Sequence, residues 1–357
     1  MDIPQDIIDS VIAAVGDDTR VLKQCALVSS SFLLPSRKQL FSRITLEGDQ
    51  LCQGIHQLLI EKPFIQSFVR TITLGSHRRS EYFEWVNGKS LLAILRLPFC
   101  CLEHFSIIMC RDYSLRAKRN WNSFSSQLKD ALSNIIHSST LKTLSLDSII
   151  KVPITFFQHI DHITTLELTH ILPIDFYDNN SSSLRATSKG VVPMATHPVI
   201  DQCVWRFGEV QMRTTIPTKP ISFLPFMCRL RFLEVCIGLG TYWHDFNLLS
   251  FFMESICTSL TSSATLEHLT FSFRSLFKYF VWPTFYEKSR NAGVWRHLDS
   301  ITTHPNSSRL QRVDINIHYH AEYASDKYEI EKAVFGDLPL LHTKGILFVE
   351  GVSGNQS

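Results

Sequence analysis

The sequence predicts an α+β chain in which three short N-terminal helices precede a larger body of irregularly recurring helix and strand units, stacked as an α/β solenoid. Two observations carry this. Residues 1–41 place apolar side chains at three- and four-residue spacing between capping residues. After residue 46 a helical apolar stretch followed by an L-x-x-L-x-L run keeps returning. With 357 residues and 45% hydrophobic content, the chain has room for one large core and a small appended module.

Asp2, Pro4 and Asp6 supply a cap, a fixed φ and negative charge near the positive end of a helix dipole, ahead of Ile7, Ile8, Val11, Ile12 and Val15. Those five residues share one face of the first helix, and Gly16 ends it. Asp17, Asp18 and Thr19 offer caps for a second amphipathic helix through Val21, Leu22, Cys25, Ala26 and Val28. Ser29, Ser30 and Ser31 break the pattern, and a third short helix is predicted from about Pro35 to Phe41, before a strand at Ile44 to Leu46. Three helices of this size bury little surface alone and need a partner or the body behind them.

The pattern I-P-x-D-I-I-x-x-V-I-x-x-V, then D-D-x-x-x-L, then A-L-V-S-S-S-F, over Ile3 to about Leu46, resembles an F-box of the form common in fungal proteins. Ile3 stands where that family usually has Leu, and Phe32 where many members have Trp. The resemblance implies binding to a Skp-type adaptor and, through it, a cullin and a ubiquitin-transfer enzyme. It also implies that Ile3, Pro4, Ile7, Ile8, Leu22, Leu27, Val28 and Phe32 supply the apolar contact with the adaptor or the packing beneath it.

In the body, the runs begin at Val69, Leu102, Leu141, Ile163, Leu230, Leu266 and Leu310, and each places alternate apolar residues inward. Helices are predicted before several of them, as at Leu128, Leu132, Ile135 and Ile136, and at Leu249, Phe252, Met253, Ile256 and Leu260. One unit cannot close a core, whereas stacked units bury a continuous apolar layer. This body resembles a degenerate leucine-rich-repeat domain. Its spacing is irregular, 22 residues from Leu141 to Ile163 but 67 from Ile163 to Leu230, against about 20 to 29 for a regular repeat. The resemblances together imply an α+β chain with a three-helix F-box at 1–46, an irregular α/β leucine-rich-repeat-like solenoid at 47–349, and a flexible tail at 350–357. The polar and proline-rich stretch at about 172–222 reads as a loop or insertion.

Candidate chemistry is sparse. Gly238-x-Gly240 lacks a third glycine at phosphate-loop spacing, and His318 and His320 share a strand face without a four-ligand set, so no cofactor or metal is expected. No G-x-S-x-G elbow is present, and no catalytic residue is assigned. The cluster Arg111, Arg116, Lys118 and Arg119, interleaved with Tyr113 and Trp121, is a basic candidate surface. Tyr242, Trp243, Trp282 and Trp295 are candidate partner anchors or core residues. A formal net charge of +2 from 35 basic and 33 acidic residues argues against a general nucleic-acid role.

Nine cysteines without a C-x-x-C pair read mostly as reduced core residues, and no apolar run has the length of a membrane span. The expectation is a non-enzymatic cytoplasmic or nuclear protein. It would be the substrate-recognition subunit of a Skp, cullin and F-box ubiquitin ligase, recruiting a protein target through its body. The alternatives are a non-catalytic interaction scaffold outside any ligase, and an enzyme whose site is hidden in the body.

Overall fold

The computed structural model describes residues 3–75, 83–109, 119–157, 160, 162–169, 172–173, 202–207, 230–239, 249–250, 253–254, 257, 265–275, 282–320 and 327–354. The chain divides into two units, one of residues 1–112 and 122–147, the other of residues 113–121 and 148–357.

The first unit opens with α1 (Gln5–Val15), α2 (Thr19–Val28) and α3 (Ser30–Leu40). Gly16, at φ 63°, stops α1 and returns its amide to the Ala13 carbonyl, a left-handed φ that glycine adopts without a Cβ penalty. Asp18 caps α2 by accepting from the Arg20 and Val21 amides. The break before α3 is one residue, Ser29 in extended conformation (φ −159°, ψ 165°). Ser30 and Ser31 are therefore its first turn, so the helix starts five residues before the predicted Pro35, which sits inside it. A serine run is read as a breaker because serine side chains compete for backbone hydrogen bonds, yet the same property suits a helix start.

The five apolar residues expected on one face of α1 divide into two stripes. Ile8 and Ile12 pack with Leu22 in a buried cluster that Val15, Cys25, Phe32 and Leu40 join, while Ile7 and Val11 are exposed. At about 100° per residue, Ile7 and Ile8 point a quarter-turn apart, and the small cluster takes only one of them.

Four strands follow in this unit: β1 (Arg43–Leu46), β2 (Thr71–Gly75), β3 (His104–Ile108) and β5 (Thr143–Asp147), paired in that order, all parallel. The short strand β4 (Arg119–Asn120) belongs to the second unit. Parallel neighbours need long crossovers, and here these carry α4 (Asp49–Glu61), α5 (Lys89–Leu95) and α6 (Ser126–Ile136). The α6 face predicted at Leu128, Leu132, Ile135 and Ile136 is buried. The register aligns Ile44, Ile72, Phe105 and Leu144 in one row and Leu46, Leu74, Ile107 and Leu146 in the next, all buried.

In the second unit, β6 (Ile149–Val152) pairs with β4 and with β8 (Leu172–Pro173) in a small parallel sheet. β7 (Thr165–Thr169), β9 (Gln202–Phe207), β10 (Phe232–Leu239), β11 (His268–Ser275), β12 (Arg312–His320) and β13 (Leu347–Gly354) pair in chain order, again all parallel. Helices Trp282–Asn291, Val294–Ser300, Lys327–Asp337 and Pro339–Thr343 lie in the last two crossovers. Phe273 of β11 packs against Phe285 and Trp295 from these helices.

The expected class is overturned by this arrangement. A three-helix F-box set off from an irregular α/β leucine-rich-repeat-like solenoid, α+β overall, gives way to an α/β architecture. Within each unit the main-sheet strands all run parallel, four in the first and six in the second, with helices in their crossovers. The three opening helices had dominated the reading of class, while the parallel pairing of the strands, a long-range property, decides it.

Two local expectations change as well. The stretch 172–222, read as loop or insertion, contains β8 at its start and β9, the strand between β7 and β10; residues 174–201 and 208–222 lie outside the described set. The tail at 350–357 is a strand as far as Gly354, pairing with β12 through His320. Gly345, at φ 70°, gives the left-handed turn that leads from helix Pro339–Thr343 into it.

Ile8→Ala should cost about 2 to 4 kcal/mol, the usual loss for emptying a well-packed core position. Ile7→Ala, on the exposed stripe, should cost less than about 1 kcal/mol. Chemical denaturation midpoints followed by circular dichroism check both. Gly75→Ala should also destabilise, by about 1 to 3 kcal/mol. An added Cβ would sit 2.8 Å from the Ile108 carbonyl oxygen and 3.0 Å from its Cβ, so the paired strands β2 and β3 must separate.

Candidate partner-docking surface

The first unit exposes apolar side chains in two places. Ile7 and Val11 form the outer stripe of α1, at 51% and 44% exposure, and Ile3, at 55%, precedes the helix. Leu27 and Val28, at the C-terminal end of α2, are 87% and 70% exposed. Single exposed aliphatics are ordinary on protein surfaces, whereas a stripe repeating along one helix marks a contact surface. Ser29 explains the second set: by ending α2 in extended conformation it leaves Leu27 and Val28 on a terminal turn without a next turn to cover them.

The eight residues assigned from sequence therefore separate. Ile8 and Leu22 are buried and Phe32 packs partly buried against them, so these three are the module's core. Ile3, Pro4, Ile7, Leu27 and Val28 are exposed. Val11 and Leu34 are exposed as well, Leu34 at 51%, and were not assigned. The four-residue spacing from Ile7 carried a signal for Val11, while nothing in the sequence distinguished Leu34 from the partly buried Phe32, Leu33 and Leu40 of α3.

Beside this surface, still within the first unit, lies an open cleft of about 1050 Å³. Asp9 of α1, Leu34 and Lys38 of α3, and Arg43, Arg70 and His104 at the starts of three strands line it. Most of its charge is internally paired. Arg43 binds Asp17, and Glu103 lies 3.9 Å from Arg70, 3.6 Å from Lys142 and 4.0 Å from His104. The Ser42 and Ser67 hydroxyls donate to the Gln39 and Phe64 carbonyls, a capping role and not that of a nucleophile held by a base.

The remaining candidates are structural where they are described. Trp295 is buried and donates its indole N–H to Ser289, 3.0 Å away. Trp121 is buried edge-on against Phe156, at 4.5 Å between ring centroids, which puts it in a core. Arg111, Tyr113, Arg116 and Lys118 of the basic cluster, with Gly240, Tyr242 and Trp243, lie outside the described residues, as do the side chains of Arg119, Trp282 and His320. Among the described residues no three His, Cys, Asp or Glu side chains converge as metal ligands, and no helix is long and apolar enough to cross a membrane.

Sequence reasoning missed one polar network. On β11 and β12, the two Asp314 carboxylate oxygens share the Arg312 Nε–H, at 2.9 and 3.0 Å, and Asp314 pairs with His268 in the register row of Arg312. Arg231 similarly grips Glu267 in a bidentate pair at 3.0 and 2.7 Å and holds that carboxyl below the usual carboxylate range. The signal was present as charged residues one or two positions from each strand start, but cross-strand pairing is needed to read it.

No family model matches this chain, and no curated protein matches it.

The seven described cysteines are all free thiols. Burial pushes the Cys203 thiol up to about 12 and, with the nearby Asp49 charge, Cys52 up to about 11. Cys257 is raised by burial as well, whereas Cys100 and Cys101 are exposed. The thiolate is the reactive form. Iodoacetamide at pH 8 should therefore label Cys100 and Cys101 of the native chain well before Cys52, Cys203 or Cys257, and denaturant should remove that order, as peptide mass mapping would show.

Proposed function

We propose that this chain is the substrate-recognition subunit of a Skp, cullin and F-box ubiquitin ligase, with its opening helices docking the adaptor and its parallel-sheet body holding a protein target. The observation supporting this is the exposed apolar set Ile3, Ile7, Leu27 and Val28, which stays uncovered although Ile8, Ile12 and Leu22 beneath it are buried. The same residues fall at the positions at which the F-box resemblance implies adaptor contact.

The mechanism is proximity. A target held by the body sits near a ubiquitin-charged enzyme carried on the cullin, which raises the effective concentration of target lysines and asks no chemistry of this chain. Such assemblies operate in the cytoplasm or nucleus. Covering one aliphatic side chain contributes about 1.5 to 3 kcal/mol of gross transfer energy. Four or five of them, less the cost of association, suffice for a stable complex.

Ile7→Asp and Leu27→Asp should each weaken binding to a purified Skp-type adaptor by about 2 kcal/mol or more, roughly 30-fold in Kd, with the circular dichroism spectrum unchanged. Ile8→Asp is expected to unfold the helices and is the wrong probe. No adaptor binding by the intact wild-type chain, or full affinity in the double variant, would refute the reading and leave an interaction scaffold outside the ligase.

A further inference from the structure

We infer that Cys100 and Cys101 form a two-thiol chelating site for a thiophilic trivalent centre, of which a mono-organic arsenical is the matching chemical class. The two residues occupy the turn between α5 and β3. Phe99 and Leu102 on either side are buried, and the Leu102 amide closes the turn onto the Phe99 carbonyl at 3.5 Å. Both ends of the turn are thus anchored, while both cysteines are exposed with their Sγ atoms 3.8 Å apart.

That separation suits a shared ligand. Two sulfurs bound to one pyramidal trivalent centre at about 2.3 Å, with an angle of about 100°, lie about 3.5 Å apart, which small side-chain rotations of the two exposed cysteines reach. The competing product, a disulfide between the two, is disfavoured: adjacent Cα atoms are about 3.8 Å apart across a trans peptide, below the roughly 4.4 to 6.8 Å that ordinary disulfides span. The pair therefore persists as thiols, and Cys101 is further held in its thiol form by its contact with Cys100.

The same surroundings select the ligand. Among the described residues no third His, Cys, Asp or Glu joins the pair, so a four-coordinate structural zinc is not matched. A mono-organic trivalent arsenical has two exchangeable hydroxyls, its third bond being to carbon. Each arsenic–oxygen bond is replaced by an arsenic–sulfur bond, each thiol proton leaves with hydroxide as water, and arsenic stays trivalent. Among the described residues Cys52, Cys203, Cys236 and Cys257 are buried, whereas Cys100 and Cys101 are exposed and adjacent.

The test incubates the purified full-length chain with phenylarsine oxide in excess glutathione, followed by intact and peptide mass spectrometry. One arsenical per chain, mapping to Cys100 and Cys101, resistant to glutathione and released by ethanedithiol, is expected. Cys100→Ser and Cys101→Ser should each weaken retention at least about tenfold, because a monothiol adduct lacks the chelate's effective concentration. Retention in either variant, mapping of the adduct to another cysteine, or air oxidation of the pair to a disulfide that blocks the adduct would overturn the assignment.

Discussion

A doubled main-chain hydrogen bond at the start of β2, β3 and β5 in the first unit, and of β11 and β12 in the second, is the constraint on which the register of those strands depends. The Ser42 carbonyl accepts the Arg70 and Thr71 amides at 2.8 and 2.9 Å, the Arg70 carbonyl those of Glu103 and His104, and the Glu103 carbonyl those of Lys142 and Thr143. In the second unit the Arg231 carbonyl takes Glu267 and His268, and the Glu267 carbonyl takes Gln311 and Arg312. Each strand thus begins where its predecessor begins, and register follows: a slip by one residue would turn every inward aliphatic outward. In each of the seven leucine runs the apolar residue two positions before the strand, such as Val69, Leu102 or Leu141, is buried at that same level. Hydrogen bonding and burial therefore specify one alignment.

This constraint explains what could be read from the chain beforehand. Every inward residue of the seven L-x-x-L-x-L runs, from Val69, Ile72 and Leu74 to Leu310, Val313 and Ile315, is buried in a strand or immediately before one. Alternation with period two is a local signal, and it survived. Which strands pair, and in what sense, is set by the amide and carbonyl groups that every residue carries, so no side-chain pattern reported the parallel pairing within each unit. β9 escaped for a different reason. Gln202, Cys203 and Val204 lack the leucine run, and in a parallel sheet the neighbours β7 and β10 supply pairing on both sides, so a weakly patterned segment can be held there.

The opening helices show the complementary case. Their existence was legible from caps and spacing, Asp18 and Gly16 above all. Their division of labour was not, because aliphatic residues a quarter-turn apart look alike in sequence and differ only in what covers them. The core of three buried residues and four partly buried ones is small for three helices, and such a module holds its shape by packing on something larger. The charged cleft between α1, α3 and the strand starts, open and internally paired, supplies little apolar burial there.

Stability and docking consequently rest on different atoms of the same helices. Ile8, Ile12 and Leu22 are committed inward, and a partner could reach them only by prising the helices apart. Ile7 and Val11 lie along the other stripe of α1, Ile3 precedes it, and Leu27 and Val28 end α2, where their covering or exposure leaves the internal cluster unchanged. A surface built in this way tolerates being empty, which an ordinary core does not, and it loses little folding energy when altered. Selection for folding alone would not hold such residues aliphatic, since polar side chains on the outer stripe would keep the helices and improve solubility. The proposed adaptor, by covering them, would supply the apolar burial that the folded helices do not.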